Sequence, residues 1–211
     1  DGNVYETVQI GDQVWMAENL KVTHYRNGGE IPYRPEPSFW NNTQTDECPY
    51  GAYTAYLDSS VNADKYGYLY NACIAEDLVC PIGFSVPTES EYIDLISYLG
   101  GSNIAGGKLK EDGLEHWNYY SDEIVDEANN ESGFTGLPGG YVGSGNQYKD
   151  LNEFGYFWTS TWLQQSQKTA MRLMYTTSIA ELAAHPRDFG FSIRCLSDET
   201  QTTTILVPDN F

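Results

Sequence analysis

The sequence predicts an α+β fold: a mostly β domain with one main amphipathic helix laid against a sheet. Three observations lead there. The first is the stretch from Cys80 to Gly101, where several local signals agree. Pro87 and Thr88 set a helix start, and Thr88 with Glu91 spells a capping box, in which hydroxyl and carboxylate each satisfy one orphan backbone N–H. Tyr92, Leu95, Ile96 and Leu99 then fall at i, i+3, i+4 and i+7, one apolar stripe, and Gly100-Gly101 closes the helix. Its expected span is about 88–99. The second observation is the set of short runs elsewhere that alternate apolar and polar side chains, the period of half-buried strands. The third is composition: 20 glycines, 9 prolines and 17 tyrosines suit short strands joined by long loops better than a helical bundle.

In chain order, Val4 to Ile10 alternates, Gly11-Asp12 turns and Gln13 to Met16 continues, which is a β-hairpin pattern. Val22 to Tyr25 leads into an Asn27-Gly28-Gly29 turn. Glu30 to Asp46 reads as irregular chain packed by its aromatics. Ala52 to Leu57 and Tyr66 to Asn71 read as short strands or turns. Ser102 to Lys110 is expected to form a short second helix, which Gly106-Gly107 weakens. The acidic run from Glu111 to Glu131, without lysine or arginine, is expected as an exposed excursion. Phe154 to Trp158, Ala170 to Tyr175 and Phe189 to Cys195 are the last candidate strands, rich in aromatic or branched residues. No internal repeat or second domain is seen.

Eleven basic against 30 acidic residues give a formal net charge of −19. That balance argues against nucleic acid or an anionic membrane as partner, because both need basic patches. It permits cation binding. No run of about twenty apolar residues is present, so no helical membrane span is expected. The chain begins Asp1-Gly2-Asn3, in a turn and without a charged-then-apolar start, and a leader or upstream region is expected to have been removed. Four cysteines without CxxC spacing and three scattered histidines favour disulfides in an exported protein over zinc.

Several stretches together resemble the Fibrobacter succinogenes major paralogous domain, found widely in secreted and lipid-anchored proteins of the Bacteroidetes and Fibrobacteres. They begin with Asp1-Gly2-Asn3-Val4-Tyr5, Ile10-Gly11 and Trp15-Met16-Ala17-Glu18-Asn19-Leu20. Tyr66-Gly67-Tyr68-Leu69-Tyr70-Asn71, Cys80-Pro81-Ile82-Gly83-Phe84 and Val86-Pro87-Thr88 follow. Ala105-Gly106-Gly107-Lys108-Leu109-Lys110, Gly133-Phe134 and Leu137-Pro138-Gly139-Gly140 come next. Phe157-Trp158-Thr159-Ser160-Thr161 and Gly190-Phe191-Ser192-Ile193-Arg194-Cys195 end the series. The resemblance covers about residues 1–198, leaving 199–211 as a C-terminal tail or linker.

That resemblance implies a C-type-lectin-like fold, related to the formylglycine-generating enzymes. Such a fold has short twisted antiparallel strands, terminal strands that meet, and long loops between late strands that carry recognition. It also implies a Cys80–Cys195 disulfide joining helix and sheet, worth about 4 kcal/mol in the chain-entropy model. Cys48 and Cys73 depart from the family pattern. A Cys48–Cys73 bridge is the simplest reading, with 48/80 and 73/195 as the other pairing.

The formylglycine-generating type of enzyme uses two reactive cysteines, and here only Cys195 lies in the corresponding region. No serine-hydrolase, metalloprotease or phosphate-loop motif occurs. The expected function is therefore a non-catalytic surface or secreted domain that recognises a protein or glycan. Tyr119, Tyr120, Tyr141, Tyr148 and Trp162 are its candidate contact residues, since flat aromatic faces suit sugar rings and protein hot spots. Tyr156 and Trp158 are expected in the core. No cofactor is required. A structural calcium ion is the metal considered, with Asp122, Asp126 and Asp150 as candidate ligands. The alternative is an accessory subunit of a cell-surface or outer-membrane assembly, engaged through the tail 199–211.

Overall fold

The computed structural model describes residues 1–41, 51–75, 78–120, 128–143 and 147–199. The N-terminal alternation forms a hairpin of β1 (Thr7–Ile10) and β2 (Gln13–Met16), with Ile10 opposite Gln13. Gly11 carries the positive φ of 61° that this two-residue turn asks of its first position. Short β3 (Tyr53–Thr54), helix α1 (Ser60–Tyr66), β4 (Leu69–Asn71) and β5 (Phe84–Ser85) follow.

The main helix, α2 (Glu89–Tyr98), is flanked by Thr88 and Leu99 as caps, so the expected 88–99 span holds. Thr88 Oγ1 accepts from the Glu91 amide (3.2 Å) and Glu91 Oε2 accepts from the Thr88 amide (2.7 Å). Tyr92, Leu95, Ile96 and Leu99 are all buried. The second expected helix is α3 (Ser102–Leu109). Gly106, unfavourable by propensity, is demanded by packing: a Cβ there would lie 2.5 Å from the Ile179 carbonyl oxygen.

Beyond α3 the chain is mainly strand: β6 (Gly139–Gly143), β7 (Gln147–Leu151), β8 (Phe154–Gln164), β9 (Gln167–Met174) and β10 (Ala180–Pro186). Two short strands, β11 (Gly190–Phe191) and β12 (Leu196–Ser197), end the described chain. Among the described residues the strands form three sheets, ordered β1-β2-β12-β5, β10-β9-β8 and β3-β4-β11-β6-β7. Pairing within them is antiparallel, and isolated parallel bridges such as Phe157 to Ser192 stitch one sheet to the next. The result is a mixed α and β fold of mostly antiparallel strands.

β12 joins the N-terminal hairpin, with Leu196 opposite Trp15, so the two ends of the described chain share a sheet. Cys80 and Cys195 form the expected disulfide across 115 residues, with a Cα–Cα distance of 6.0 Å. It ties the approach to α2 onto the approach to β12. Cys73 is also disulfide-bonded; its expected partner, Cys48, lies outside the described residues. No helix among the described residues is long and apolar enough to cross a membrane.

Two larger cores meet at β8. One gathers Tyr70, Tyr156, Trp158, Phe191 and Ile193 with the disulfide. The other holds Trp15, Phe134, Phe157 and the apolar stripe of α2. Between them Arg194 is fully buried, stacked over Phe134 with its Cζ 4.3 Å from the ring centroid. Its guanidinium donates to Asn19 Oδ1 (2.5 Å) and to the carbonyls of Phe134 and Thr135.

Candidate functional site

The strands from Phe154 to Pro186 put side chains of one face into a row, because alternate residues of β8, β9 and β10 point the same way. Register places Tyr156 opposite Arg172 and Arg172 opposite Glu181, with His185 on the same face two pleat repeats further along β10. Aromatic rings cover this face. Tyr156 stacks on Phe191 with centroids 4.6 Å apart and on Phe154 at 5.7 Å, while Tyr141 stacks on Phe189 at 5.3 Å. His185 meets Phe191 and Tyr156 edge-on at 4.9 and 5.8 Å.

The polar groups of this face are unusually placed. Arg172 pairs with Glu181 through one guanidinium nitrogen and lies over the Phe154 ring, yet its Nε has no partner. His185 Nε2 and both carboxylate oxygens of Asp188, in the turn after β10, are likewise buried without a hydrogen-bond partner. Among the described residues, the Tyr92 hydroxyl is the other such group. An orphaned buried polar group costs about 1–3 kcal/mol, so two of them on one face, with Asp188 in the turn that follows, call for a reason. Burial, with the neighbouring Arg172 charge, pushes the His185 imidazole down to about 4, and burial raises the Asp188 carboxyl. Tyr156 Oη donates to Asp150 Oδ2 (2.9 Å), and burial followed by that carboxylate raises its hydroxyl. Asp150 itself has a positive φ of 62°, a conformation non-glycine residues rarely hold.

The His185 shift has a sign that can be measured. The unfolded imidazole takes up a proton near pH 6.5 whereas the folded one refuses it until about 4. The unfolded state therefore binds more protons in that window, and stability falls as pH drops through it. Allowing for the partial exposure of the ring, the loss attributable to His185 is roughly 2 kcal/mol. Urea unfolding of the wild type and of His185→Phe at pH 7.5 and 4.5 checks this. The variant's stability is expected to depend less on pH by that amount, and equal dependence in the two proteins contradicts it.

The residues expected from sequence are dispersed. Tyr141 and Asp150 come together on this face. Tyr148 turns away, its hydroxyl donating to the Pro35 carbonyl (2.9 Å) and its ring lying against Tyr56. Half-buried Trp162 packs beneath the Lys168 ammonium, 4.6 Å from the ring centroid. Tyr119 and Tyr120 stay 58% and 56% exposed, with Tyr120 edge-on to Tyr175. Asp122 and Asp126 lie outside the described residues. Tyr156 and Trp158 are buried, as expected. Long loops were expected between the late strands, but the described residues from Gly139 to His185 are mostly strand, and the aromatics there lie on a sheet face instead. Sequence reasoning missed Arg172, Glu181, His185 and Asp188. The available signal was the charged residues interrupting apolar runs that otherwise read as core strands.

A second aromatic surface was also missed. Tyr33, Tyr53 and Tyr68 contact one another in sequence along the β3–β4 edge, with centroids 5.1 and 4.7 Å apart. Along α2 from Glu91 to Tyr98 and beside β12, an open cleft of about 670 Å³ is lined by Asp12, Glu91, Asp94, Asp198 and Glu199.

A family model described as the Fibrobacter succinogenes major domain matches residues 8–197. No curated protein and no solved structure gives a match. The matched span runs from within β1 to the last residue of β12, taking in all three sheets, the Cys80–Cys195 disulfide and the buried Arg194. The chain belongs to the Fibrobacter succinogenes major domain family.

Proposed function

We propose that this chain is a non-catalytic recognition domain with a C-type-lectin-like fold that binds a glycan across the β8–β10 face. The observation that carries the reading is the set of half-buried aromatic rings of Tyr141, Phe154 and Phe189 around the partly exposed Arg172–Glu181 pair. A sugar offers an apolar ring face to lie on an aromatic one, and hydroxyls to meet the exposed edge of the Arg172–Glu181 pair. The lectin-like assignment is supported by terminal strands that share a sheet and by a helix whose approach is bonded to the last strand. Two bonded cysteines, Cys80 and Cys195, are unavailable as thiolate nucleophiles, which supports the non-catalytic reading.

Disulfide bonding also favours an oxidising compartment, so export to the outer-membrane surface or the exterior, with or without a lipid anchor, is part of the proposal. No cofactor is required for it. Calcium, with Asp150 among its ligands, is the accessory ion proposed. The second reading, an accessory subunit of a surface assembly, is favoured by the acidic cleft along β12, which would seat a basic partner next to the departure of the tail.

A glycan array with the whole chain, followed by calorimetry on the best oligosaccharide, tests the proposal. Arg172→Gln and Asp188→Asn are each expected to weaken binding about tenfold or more while leaving the folded spectrum unchanged. Retained affinity in both variants, or capture of a basic protein with no glycan bound, would count against it.

A further inference from the structure

We infer that His116 and Glu115, with Glu111 orienting the imidazole from behind, form in the turn-rich segment after α3 a binding site for a divalent transition-metal ion of the zinc class. Ligand atoms of the three residues all lie within 4.8 Å of one another. His116 is 9% exposed, and its ring is held edge-on by Tyr66 at 5.6 Å. Its Nδ1 lies 2.8 Å from both oxygens of Glu111. That carboxylate fixes the tautomer, placing the proton on Nδ1 and leaving the lone pair on Nε2. The arrangement is how a carboxylate orients a metal-bound histidine from behind.

Among the described residues, Nε2 has no hydrogen-bond partner. It faces Glu115 Oε1 across 3.8 Å, too long for a hydrogen bond. An ion about 2.0–2.2 Å from each atom spans such a gap at an obtuse angle. Glu115 is largely exposed, with 78% of its side chain open, so water can complete the coordination. An imidazole nitrogen in the set selects zinc, cobalt, nickel or copper over calcium and magnesium, which prefer oxygen alone. This site is distinct from the calcium set expected from the aspartates, and it does not depend on the glycan reading.

Calorimetric titration of the whole chain with Zn2+, and separately with Ca2+, tests the inference, with thermal unfolding as a second readout. One zinc ion is expected to bind with micromolar affinity and raise Tm, with calcium weaker by at least tenfold. Glu115→Gln, at an exposed position that packing does not use, is expected to weaken zinc at least tenfold. His116→Gln is expected to abolish it. His24→Gln, which removes the imidazole near Asp1, is expected to change nothing. Zinc affinity unchanged in Glu115→Gln, loss of binding in His24→Gln, or no zinc binding below millimolar would each overturn the site. If His116→Gln fails to fold, the Glu115 variant decides alone.

Discussion

Replacement of Arg194 by methionine is expected to destabilise the fold by about 3–5 kcal/mol, among the largest effects of any single change in this chain. Methionine fills the space and keeps contact with Phe134 and Phe157, but it donates nothing. Asn19 Oδ1 and the carbonyls of Phe134 and Thr135 would each be left buried and short of a donor. Asn19 also donates to the Tyr66 carbonyl (2.8 Å) and Ser192 Oγ (3.3 Å), so loss of the guanidinium loosens the junction of three chain segments. Lysine is expected to restore little, because a single ammonium cannot reproduce a planar fork reaching several acceptors. Chemical unfolding measures this directly. A methionine variant within 1 kcal/mol of the wild type would show that the stack over Phe134, and not the hydrogen bonds, holds this region.

The Cys80–Cys195 bridge is expected to contribute about 4 kcal/mol, since it closes a loop long enough to restrict the unfolded chain severely. Its 115-residue separation places it among the costlier loops to close. The test is the double substitution Cys80→Ala/Cys195→Ala and not a reductant, because a reductant also opens the bond at Cys73. Urea unfolding of the double variant is expected to show the full loss with little change in secondary structure. A loss under 1 kcal/mol would mean that β12 is held to β2 and β5 by packing and ladder bonds alone.

Where local chemistry determines structure, the fold was legible. The capping box and stripe of α2, the β1–β2 turn and the short α3 follow from rules acting within a few residues. Helix α1 was not legible, because Ser60–Tyr66 spans barely two turns and buries only Ala63 and Tyr66. Strand β10 was missed for another reason. Its sequence, Ala-Glu-Leu-Ala-Ala-His-Pro, lacks β-branched residues and Phe, Tyr or Trp, and it is a strand because β9 offers it an edge to bond. Its closing Pro186 is tolerated at such an edge. Similarly, the expected strand from Phe189 to Cys195 pairs regularly only at Gly190–Phe191, and Ser192 then crosses to bridge Phe157.

The site was less legible than the fold. Tyr141 and Asp150 could be singled out because tyrosine and aspartate in a glycine-rich stretch stand out. Arg172 and His185 could not, because what distinguishes them is the absence of partners at atoms the sequence does not describe. The pairing of His116 with Glu111 and Glu115 hid inside an acidic run that reads as a solvated face. It emerges only when the segment after α3 folds His116 inward against Tyr66.

The most direct test of recognition across the β8–β10 face is a set of amide and side-chain NMR spectra of the intact chain, recorded as the best array glycan is titrated in. Shifts are expected to concentrate at Tyr141, Arg172, Glu181, His185, Asp188 and Phe189, with the Tyr141 ring resonance moving furthest as a sugar ring comes to lie over it. Shifts confined to Tyr119 and Tyr120, to the Tyr33–Tyr53–Tyr68 edge or to the acidic cleft, with that resonance unmoved, would contradict the account.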